Sequence, residues 1–343
     1  MKATVSTSLL LILLSCGKNE CIDIKGNFET AMDGTTAIYR AKWDGHSVAI
    51  LNEVGCDFAT CLLILRFSQN AVEYIERVSG EKLPDPILVK LIKPESNPYN
   101  YGGCSINGAA QVLLKMTPGI KSPITIFHEF THLLPASKVS LFGFFNESRA
   151  RYISYLYADE YIFRNTNSFE FICSVSVFSN IVPLSLKNVQ GSERGLFDIS
   201  VLLVKLSMKE RFYLPLAEML TNFNKNYHDQ IFTLKMSKSY NWGVIFYSTY
   251  ALAFSYYLIE KYGLDVCQEM MNKEFEYPIP DNFQILLLEE FYKKSLSELE
   301  TGFTNYISHY LYQNRYLHDT NIISEIESFF MNIKNSPESL KTE

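Results

Sequence analysis

Residues 122–135 read "SPITIFHEFTHLLP", a short apolar segment with a polar core. Ser122 is a good N-cap and Pro123 a good first helical residue, so a helix is expected to begin here. Pro135 cannot continue a helix and is expected to end it. The segment therefore predicts a buried helix of about three turns, entered and left at defined residues.

Polar side chains recur along this helix at spacings of three and four, which places Thr125, His128, Glu129 and His132 on one face. Burying a glutamate and two imidazoles among apolar residues is costly unless something compensates them, and a divalent metal ion does so. Residues i and i+4 can aim ring nitrogens at one point, where zinc accepts them at about 2.0–2.1 Å. Glu129 is then placed to take a proton from a water molecule at the metal. The segment HEFTH is an instance of the H-E-x-x-H pattern.

A third ligand is expected downstream, in the segment "LFGFFNESRARYISYLYADEYIF". Asn146 is predicted to cap a second helix that Glu147 opens, close enough in sequence for that helix to fold back on the first. Catalytic zinc commonly takes two histidines and one glutamate and leaves one position open. Glu147 is therefore the predicted third ligand, with Asp159 and Glu160, three turns further along, as rivals.

Composition limits the alternatives. The chain has 343 residues, of which 47% are hydrophobic and 20% charged, so it can bury one large core or two smaller ones. Its net charge is −6 and no basic tract occurs, which argues against a nucleic-acid partner.

The first residues indicate export. Lys2 precedes the apolar run "ATVSTSLLLILLS", which is too short to span a bilayer at about 20 residues. The run ends in "LLSC", the arrangement of a bacterial lipobox, so 1–15 is predicted to be a signal peptide and Cys16 the lipidated residue. An ordinary signal peptide is the alternative. Lipid anchoring would place the protein at the outer membrane, the cell surface or the periplasm, with Gly17 favouring the outer membrane.

Six cysteines remain after Cys16, an even number that permits disulfides in an exported chain. Cys56 and Cys61 are close enough in sequence to pair. Buried free thiols are the equally weighted alternative.

Two lobes are expected beyond a polar tether at 16–30. Residues 31–135 read as mixed α/β, with a hairpin at Asp44-Gly45. The other predicted elements of this lobe are a helix at 68–81 ended by Gly80, a strand at 86–93, a Gly-rich turn at 99–105 and a strand at 106–116. Residues 136–343 show helical periodicity, at 147–162, 197–210, 215–224, 243–262, 295–312 and 319–333.

HEFTH followed by "FFNESRARY" resembles the gluzincin zinc metallopeptidases, and is most similar to the bacterial peptidase MA-like domains. The resemblance implies an α+β, thermolysin-like fold with the active site between an α/β lobe and a helical lobe. It also implies that His128, His132 and Glu147 hold Zn²⁺ and that Glu129 is the general base. Ser148 and Arg151 depart from the family pattern, which has glycine and an acidic residue there.

A weaker likeness concerns the helix "YSTYALAFSYYLIEKYG" (247–263), which in these families starts with a tyrosine. That tyrosine donates a hydrogen bond to the oxyanion formed during attack on the carbonyl. Tyr247 fits this role best, and Tyr250 and Tyr240 are rivals.

The strand "NGAAQ" (107–111) is similar to the substrate strand of aminopeptidase N-type enzymes. Gly108, Ala109 and Ala110 are therefore expected to bind an extended peptide through their backbone, if this strand lies at a sheet edge. Gln111 stands where those enzymes have a glutamate for the substrate's free amine, so endopeptidase action is expected rather than aminopeptidase action.

These features together predict a lipid-anchored zinc metallopeptidase that hydrolyses peptide or protein substrates with a water activated by Glu129. The main alternative is a non-catalytic surface lipoprotein that uses the same scaffold to bind a partner. A metal-dependent hydrolase of a non-peptide substrate is a third hypothesis.

Overall fold

The protein is a mixed α+β structure in the computed structural model. The residues described are 23–93, 103–106, 110–115, 123–135, 144–157, 160–161, 241–273, 282–318 and a few positions in 201–220 and at 323–324. The chain divides into two compact units, and the division that falls nearest the HEFTH segment comes after Pro135.

A six-stranded sheet forms the frame of the first unit. Its strands are β1 (Asn27–Asp33), β2 (Thr36–Trp43), β3 (His46–Asn52), β4 (Ile87–Ile92), β5 (Gly103–Ile106) and β6 (Gln111–Lys115), in the order β1-β2-β3-β4-β6-β5. β3, β4 and β6 are parallel, whereas β1, β2 and β5 run antiparallel to their neighbours. β1 and β5 are therefore the two edges of the sheet.

The hairpin predicted at Asp44-Gly45 is confirmed. Asp44 has φ 41° and Gly45 φ 82°, the two positive φ values that a type I′ turn requires. The turn joins β2 to β3 and pairs Trp43 with His46. The predicted strand at 86–93 is also confirmed, as β4.

The tether predicted for 16–30 is wrong from Asn27 onward, because β1 begins there and pairs along its whole length with β2. The other revision in this sheet concerns 99–116. Gly103–Ile106 is strand β5 rather than part of a turn, and the following strand begins at Gln111 rather than at 106.

Helix α1 (Phe58–Ser79) is longer than the sequence indicated. Gly80 ends it in the left-handed conformation with φ 72°, as predicted. Its start was missed. Asp57 is the N-cap and accepts a hydrogen bond from the Thr60 backbone N–H at 2.8 Å. The first half is buried almost all round, so it lacks the amphipathic period that marks a surface helix.

Helices α1 and α2 (Pro123–Thr131) pack against each other, α1 also against β2 and β3 and α2 against β5 and β6. The inner sheet face below them is fully buried, at Val48, Ile50, Val89, Leu91, Val112 and Leu114. Burial of a side chain of this size contributes about 1.5–3 kcal/mol, so this layer fixes the position of α2 on the sheet.

The described part of the second unit is helical. Its helices are α3 (Phe144–Tyr157), α4 (Asn241–Tyr262), α5 (Leu264–Met271), α6 (Phe283–Tyr292) and α7 (Leu296–Gln313), followed by a 3₁₀ turn at Arg315–His318. The predictions at 147–162, 243–262 and 295–312 correspond to α3, α4 and α7. α5 and α6 were not predicted. Most of 197–210, 215–224 and 319–333 lies outside the described residues.

Aromatic side chains form the core of this unit, between α4 and α7. Tyr250, Phe254 and Phe303 are each 0% exposed, and both Tyr250 and Phe254 have ring centroids 5.3 Å from that of Phe303. The N-terminus of α7 has the predicted capping box, in which the Ser295 hydroxyl and the Glu298 carboxylate each accept a hydrogen bond from the other residue's backbone N–H.

Candidate metal centre

Helix α2 has the predicted start but ends earlier than expected. It begins at Pro123 and ends at Thr131, so His132 lies in the turn that follows rather than inside the helix. Leu133 and Leu134 donate their backbone N–H to carbonyls three residues back, at 3.0 and 3.1 Å. Pro135 explains this tightening, because it lacks an N–H and disfavours helical geometry at the residue before it.

Packing holds helix α2 in place on its apolar side. Ile126, Phe127 and Phe130 are all 0% exposed, and the ring centroid of Phe127 lies 5.8 Å from that of Tyr74 on α1. The Thr131 hydroxyl donates to the Phe127 carbonyl oxygen at 2.7 Å. The backbone that carries the two histidines is therefore fixed by packing on one side.

The two histidines converge as their spacing predicts. His128 Nε2 lies 3.1 Å from His132 Nε2, and the rings meet edge to face with centroids 4.7 Å apart. Two nitrogens that each lie about 2.05 Å from a tetrahedral zinc ion are roughly 3.3 Å from each other. The spacing of the two Nε2 atoms therefore fits two corners of a zinc coordination sphere.

Glu129 follows His128 in the sequence and is only 6% exposed, while His128 is 9% exposed. A carboxylate that is so buried is destabilised by the loss of water unless charges or hydrogen-bond donors compensate it. Adjacent residues on a buried turn thus provide two ring nitrogens and one carboxylate, which is the set of groups that a hydrolytic metal site needs.

Glu147 lies on α3, in the second unit. The helix begins at Phe144, so Asn146 is a first-turn residue and the prediction that it is the N-cap is wrong. The side chain of Glu147 is outside the described set, as is Asp159, and Glu160 follows the end of α3. Among the described side chains, no three His, Cys, Asp or Glu residues form a group that could hold a metal. The structure thus brings together His128 and His132 and buries Glu129, the next residue after His128, while the third ligand stays a prediction.

An unpredicted feature of α3 is the burial of Arg149, which is 0% exposed. Its guanidinium donates to the Gln268 Oε1 atom of α5 at 3.0 Å and to Asn146 Oδ1 at 3.3 Å. Gln268 in turn donates to Asn272 Oδ1 at 3.3 Å. These bonds fix the rotation of the helix that carries residue 147. Sequence reasoning missed them because arginine is usually exposed.

The candidate oxyanion tyrosines are distributed as follows. Tyr247 lies on α4, but its side chain and the whole of Tyr240 are outside the described residues. Tyr250 is fully buried and packs on Phe303 in the aromatic core. The structure therefore makes Tyr250 a packing residue rather than a group open to substrate, and the role of Tyr247 stays a prediction.

The segment 107–111, predicted to bind substrate, is described only at its last two residues. Gly108 and Ala109 are outside the described residues, and Ala110 is a turn residue whose carbonyl accepts a hydrogen bond from the Leu88 N–H at 2.8 Å. The strand that follows, β6, is internal, because it lies between β4 and β5. Gln111, the last residue of the segment 107–111, therefore lies inside the sheet rather than at its edge, and peptide binding by Gly108, Ala109 and Ala110 stays a prediction. The sheet edge that packs against α2 is β5, Gly103–Ile106.

The lipidation site Cys16 and the signal peptide lie outside the described residues. No helix in the described part of the chain combines the length and the apolar character needed to cross a membrane. Cys56, Cys61 and Cys267 are free thiols in the structure.

No protein-family model matches this chain, and no curated protein matches its sequence. The likeness to zinc peptidases therefore rests on the two motifs and on the geometry of the HEFTH turn.

Proposed function

We propose that the protein is a zinc metallopeptidase of the gluzincin type with a thermolysin-like fold. The observation that carries the proposal is the 3.1 Å separation of the His128 and His132 Nε2 atoms next to the buried Glu129. Packing alone does not account for two imidazoles that converge on one point. Leucine or phenylalanine would fill the same space without the free-energy cost of burying polar atoms.

His128 and His132 would hold the zinc ion, and Glu147 is the proposed third ligand. Zinc bound there supplies a Lewis acid that polarises the substrate carbonyl and lowers the pKa of water. The rigid packing of α2 on the sheet keeps the two ring nitrogens in position before the ion arrives, so binding costs little reorganisation.

Glu129 is the proposed general base. Its carboxylate accepts the proton of the attacking water and then gives it to the leaving amine. Tyr247 is proposed to donate a hydrogen bond to the oxyanion.

The substrate is proposed to be an extended peptide that adds to the sheet at β5. This edge strand packs against α2, so a peptide paired with its backbone would pass the HEFTH turn. Pairing through the backbone of an edge strand requires no free terminal amine on the substrate, so endopeptidase action is proposed. The enzyme is proposed to be anchored to the bacterial outer membrane or cell surface through lipidated Cys16, facing the exterior or the periplasm.

Metal analysis combined with activity tests the proposal. The purified protein is expected to carry one zinc per chain and to lose it on His128→Ala substitution. His309→Ala, at an exposed position of α7, is the matched control and should keep the metal. A chelator should lower the melting temperature of the wild type but not that of His128→Ala, since only the former has a bound ion to lose.

The Glu129→Gln variant distinguishes a metallopeptidase from a non-catalytic protein that binds a partner. The variant is expected to keep zinc and to lose hydrolysis of a peptide library by a factor of about 10²–10⁴, the range for a missing general base. Undiminished turnover would refute the role of Glu129. Zinc bound to the wild type without any turnover would instead support the non-catalytic lipoprotein.

A further inference from the structure

Two cysteines lie on either side of the N-cap of α1, so their positions relative to the helix are known. Asp57 is the N-cap, so Cys56 occupies the N′ position and Cys61 the fourth helical position. Side chains at these two positions meet in the arrangement known as a hydrophobic staple. A helical side chain also leans toward the N-terminus of its helix, which directs Cys61 toward the residue before the cap.

The backbone at both cysteines is fixed. The Asn52 amide clamps Cys56, because Asn52 Nδ2 donates to the Cys56 carbonyl oxygen at 2.8 Å and the Cys56 N–H donates to Asn52 Oδ1 at 2.9 Å. Asn52 is itself 5% exposed. On the helical side, the Cys61 N–H donates to the Asp57 carbonyl at 3.2 Å. Little conformational freedom remains to be lost if the two residues are joined.

Only Cys56 of the two is partly exposed to solvent, because Cys61 is 0% exposed and Cys56 is half-buried. Burial raises the pKa of the Cys61 thiol to about 12, and the neighbouring Cys56 adds to the rise by charge repulsion. The pKa of Cys56 is also raised by burial. Cys56 is thus close enough to Cys61 to affect the charge of the Cys61 thiol.

We propose that Cys56 and Cys61 form a disulfide bond, which joins the N′ residue of α1 to its fourth helical residue. Half-exposed Cys56 reacts first: its thiolate attacks a disulfide donor, forms a mixed disulfide and releases one thiol. The Cys61 thiol then transfers its proton to the thiolate that the donor released, and its sulfur displaces the donor's second thiol to leave the Cys56–Cys61 bond. Two protein thiols are oxidised and one donor disulfide is reduced to two thiols.

The donor is a small disulfide or a protein dithiol–disulfide oxidoreductase of an oxidising compartment. Its presence in the cell depends on the export inferred above, but the reaction in solution does not. The bond would tie the segment after β3 to the first turn of α1, where the Asn52 clamp already holds it.

Peptide mapping of the purified protein tests the pair directly. Trypsin cleaves after Lys42 and Arg66 and at no position between them, so both cysteines lie in the fragment 43–66. After equilibration with a glutathione redox buffer and acid quenching, this fragment is expected to be lighter by about 2 Da, the mass of two hydrogen atoms. Cys61→Ser should abolish the shift, whereas the matched control Cys267→Ala, at a buried cysteine of α5, should leave it intact.

Repeating the glutathione equilibration in guanidinium chloride, which unfolds the chain, measures how much the fold favours the disulfide. Because the clamp and the cap hold the two residues, the ratio of disulfide to dithiol is expected to be at least about tenfold higher in the folded protein than in the unfolded chain. An equal or lower ratio in the folded protein would overturn the proposal. A glutathione adduct that persists on Cys56, or pairing of either residue with another cysteine, would overturn it as well.

Discussion

Gly302→Ala offers a sharp test of the packing between α4 and α7. Gly302 lies inside α7, where alanine normally stabilises a helix by about 1 kcal/mol relative to glycine. Here a Cβ atom would overlap the hydroxyl oxygen of Tyr257 on α4 and approach its Cζ to 3.0 Å. The sign of the effect therefore depends on whether the tyrosine can move.

Tyr257 has little room to do so. It is 2% exposed, and its ring packs against Phe254, Phe303 and Tyr306 with centroid distances of 5.6–6.0 Å. Burial and a hydrogen bond with Tyr262 hold its phenol firmly in the neutral form by raising its pKa. Overpacking of such a site costs about 1–3 kcal/mol, which exceeds the helix gain. We expect Gly302→Ala to destabilise the second unit by up to about 2 kcal/mol, the difference between these effects.

Urea unfolding followed by tryptophan fluorescence measures this. The chain has two tryptophans, Trp43 in β2 and Trp242 in α4, so a Trp43→Phe background leaves a probe in the second unit. Tyr257→Phe removes the overlapping oxygen, and in that background the penalty of Gly302→Ala should fall below about 1 kcal/mol. If Gly302→Ala raises the urea midpoint, the close approach of α4 and α7 at this point is wrong.

Two further predictions concern single residues. Asp57→Ala should cost about 1 kcal/mol at neutral pH, as loss of an N-cap does. Hydrogen bonds from Thr60 lower the pKa of Asp57 in the folded state, so this contribution is present above pH 4, the range of an unfolded aspartate, and is lost as the pH falls through the lower folded pKa. Unfolding at pH 7 and below pH 3 measures it, and an Asp57→Ala penalty that persists at low pH would contradict the assignment. Arg149→Ala should destabilise the second unit by about 3 kcal/mol or more, because two buried amide oxygens each lose a hydrogen bond from the guanidinium and a cavity forms. Half-exposed Arg151→Ala on the same helix should cost less than about 1 kcal/mol, and equal losses in the two variants would refute the burial of Arg149.

Local signals in the sequence were sufficient for several elements. Asp44-Gly45 predicts its turn because both positions need positive φ, and Gly80 ends α1 for the same reason. The Ser295 capping box predicts the start of α7 because its hydrogen bonds join residues only three apart. Such features depend on neighbours in the chain and can be recognised without a fold.

Other elements were missed because their evidence is non-local. The apolar run at 61–67 gives no helical period, since α1 is buried on nearly all sides there. Gly103–Ile106 has the composition of a turn and becomes a strand only by pairing with β6. β1 is likewise defined by its register with β2 rather than by its own sequence.

At the candidate site, the sequence alone determined which residue types occur and at what spacing, since H-E-x-x-H places His128 and His132 about one helical turn apart. Only the tertiary structure decided which strand is the edge beside that turn, because strand order follows from the pairing of segments distant in the chain. It also decided that Arg149, a residue type usually found in water, is buried with amide partners on α5. Burial and edge position are properties of packing between elements, and no local pattern of residues specifies them.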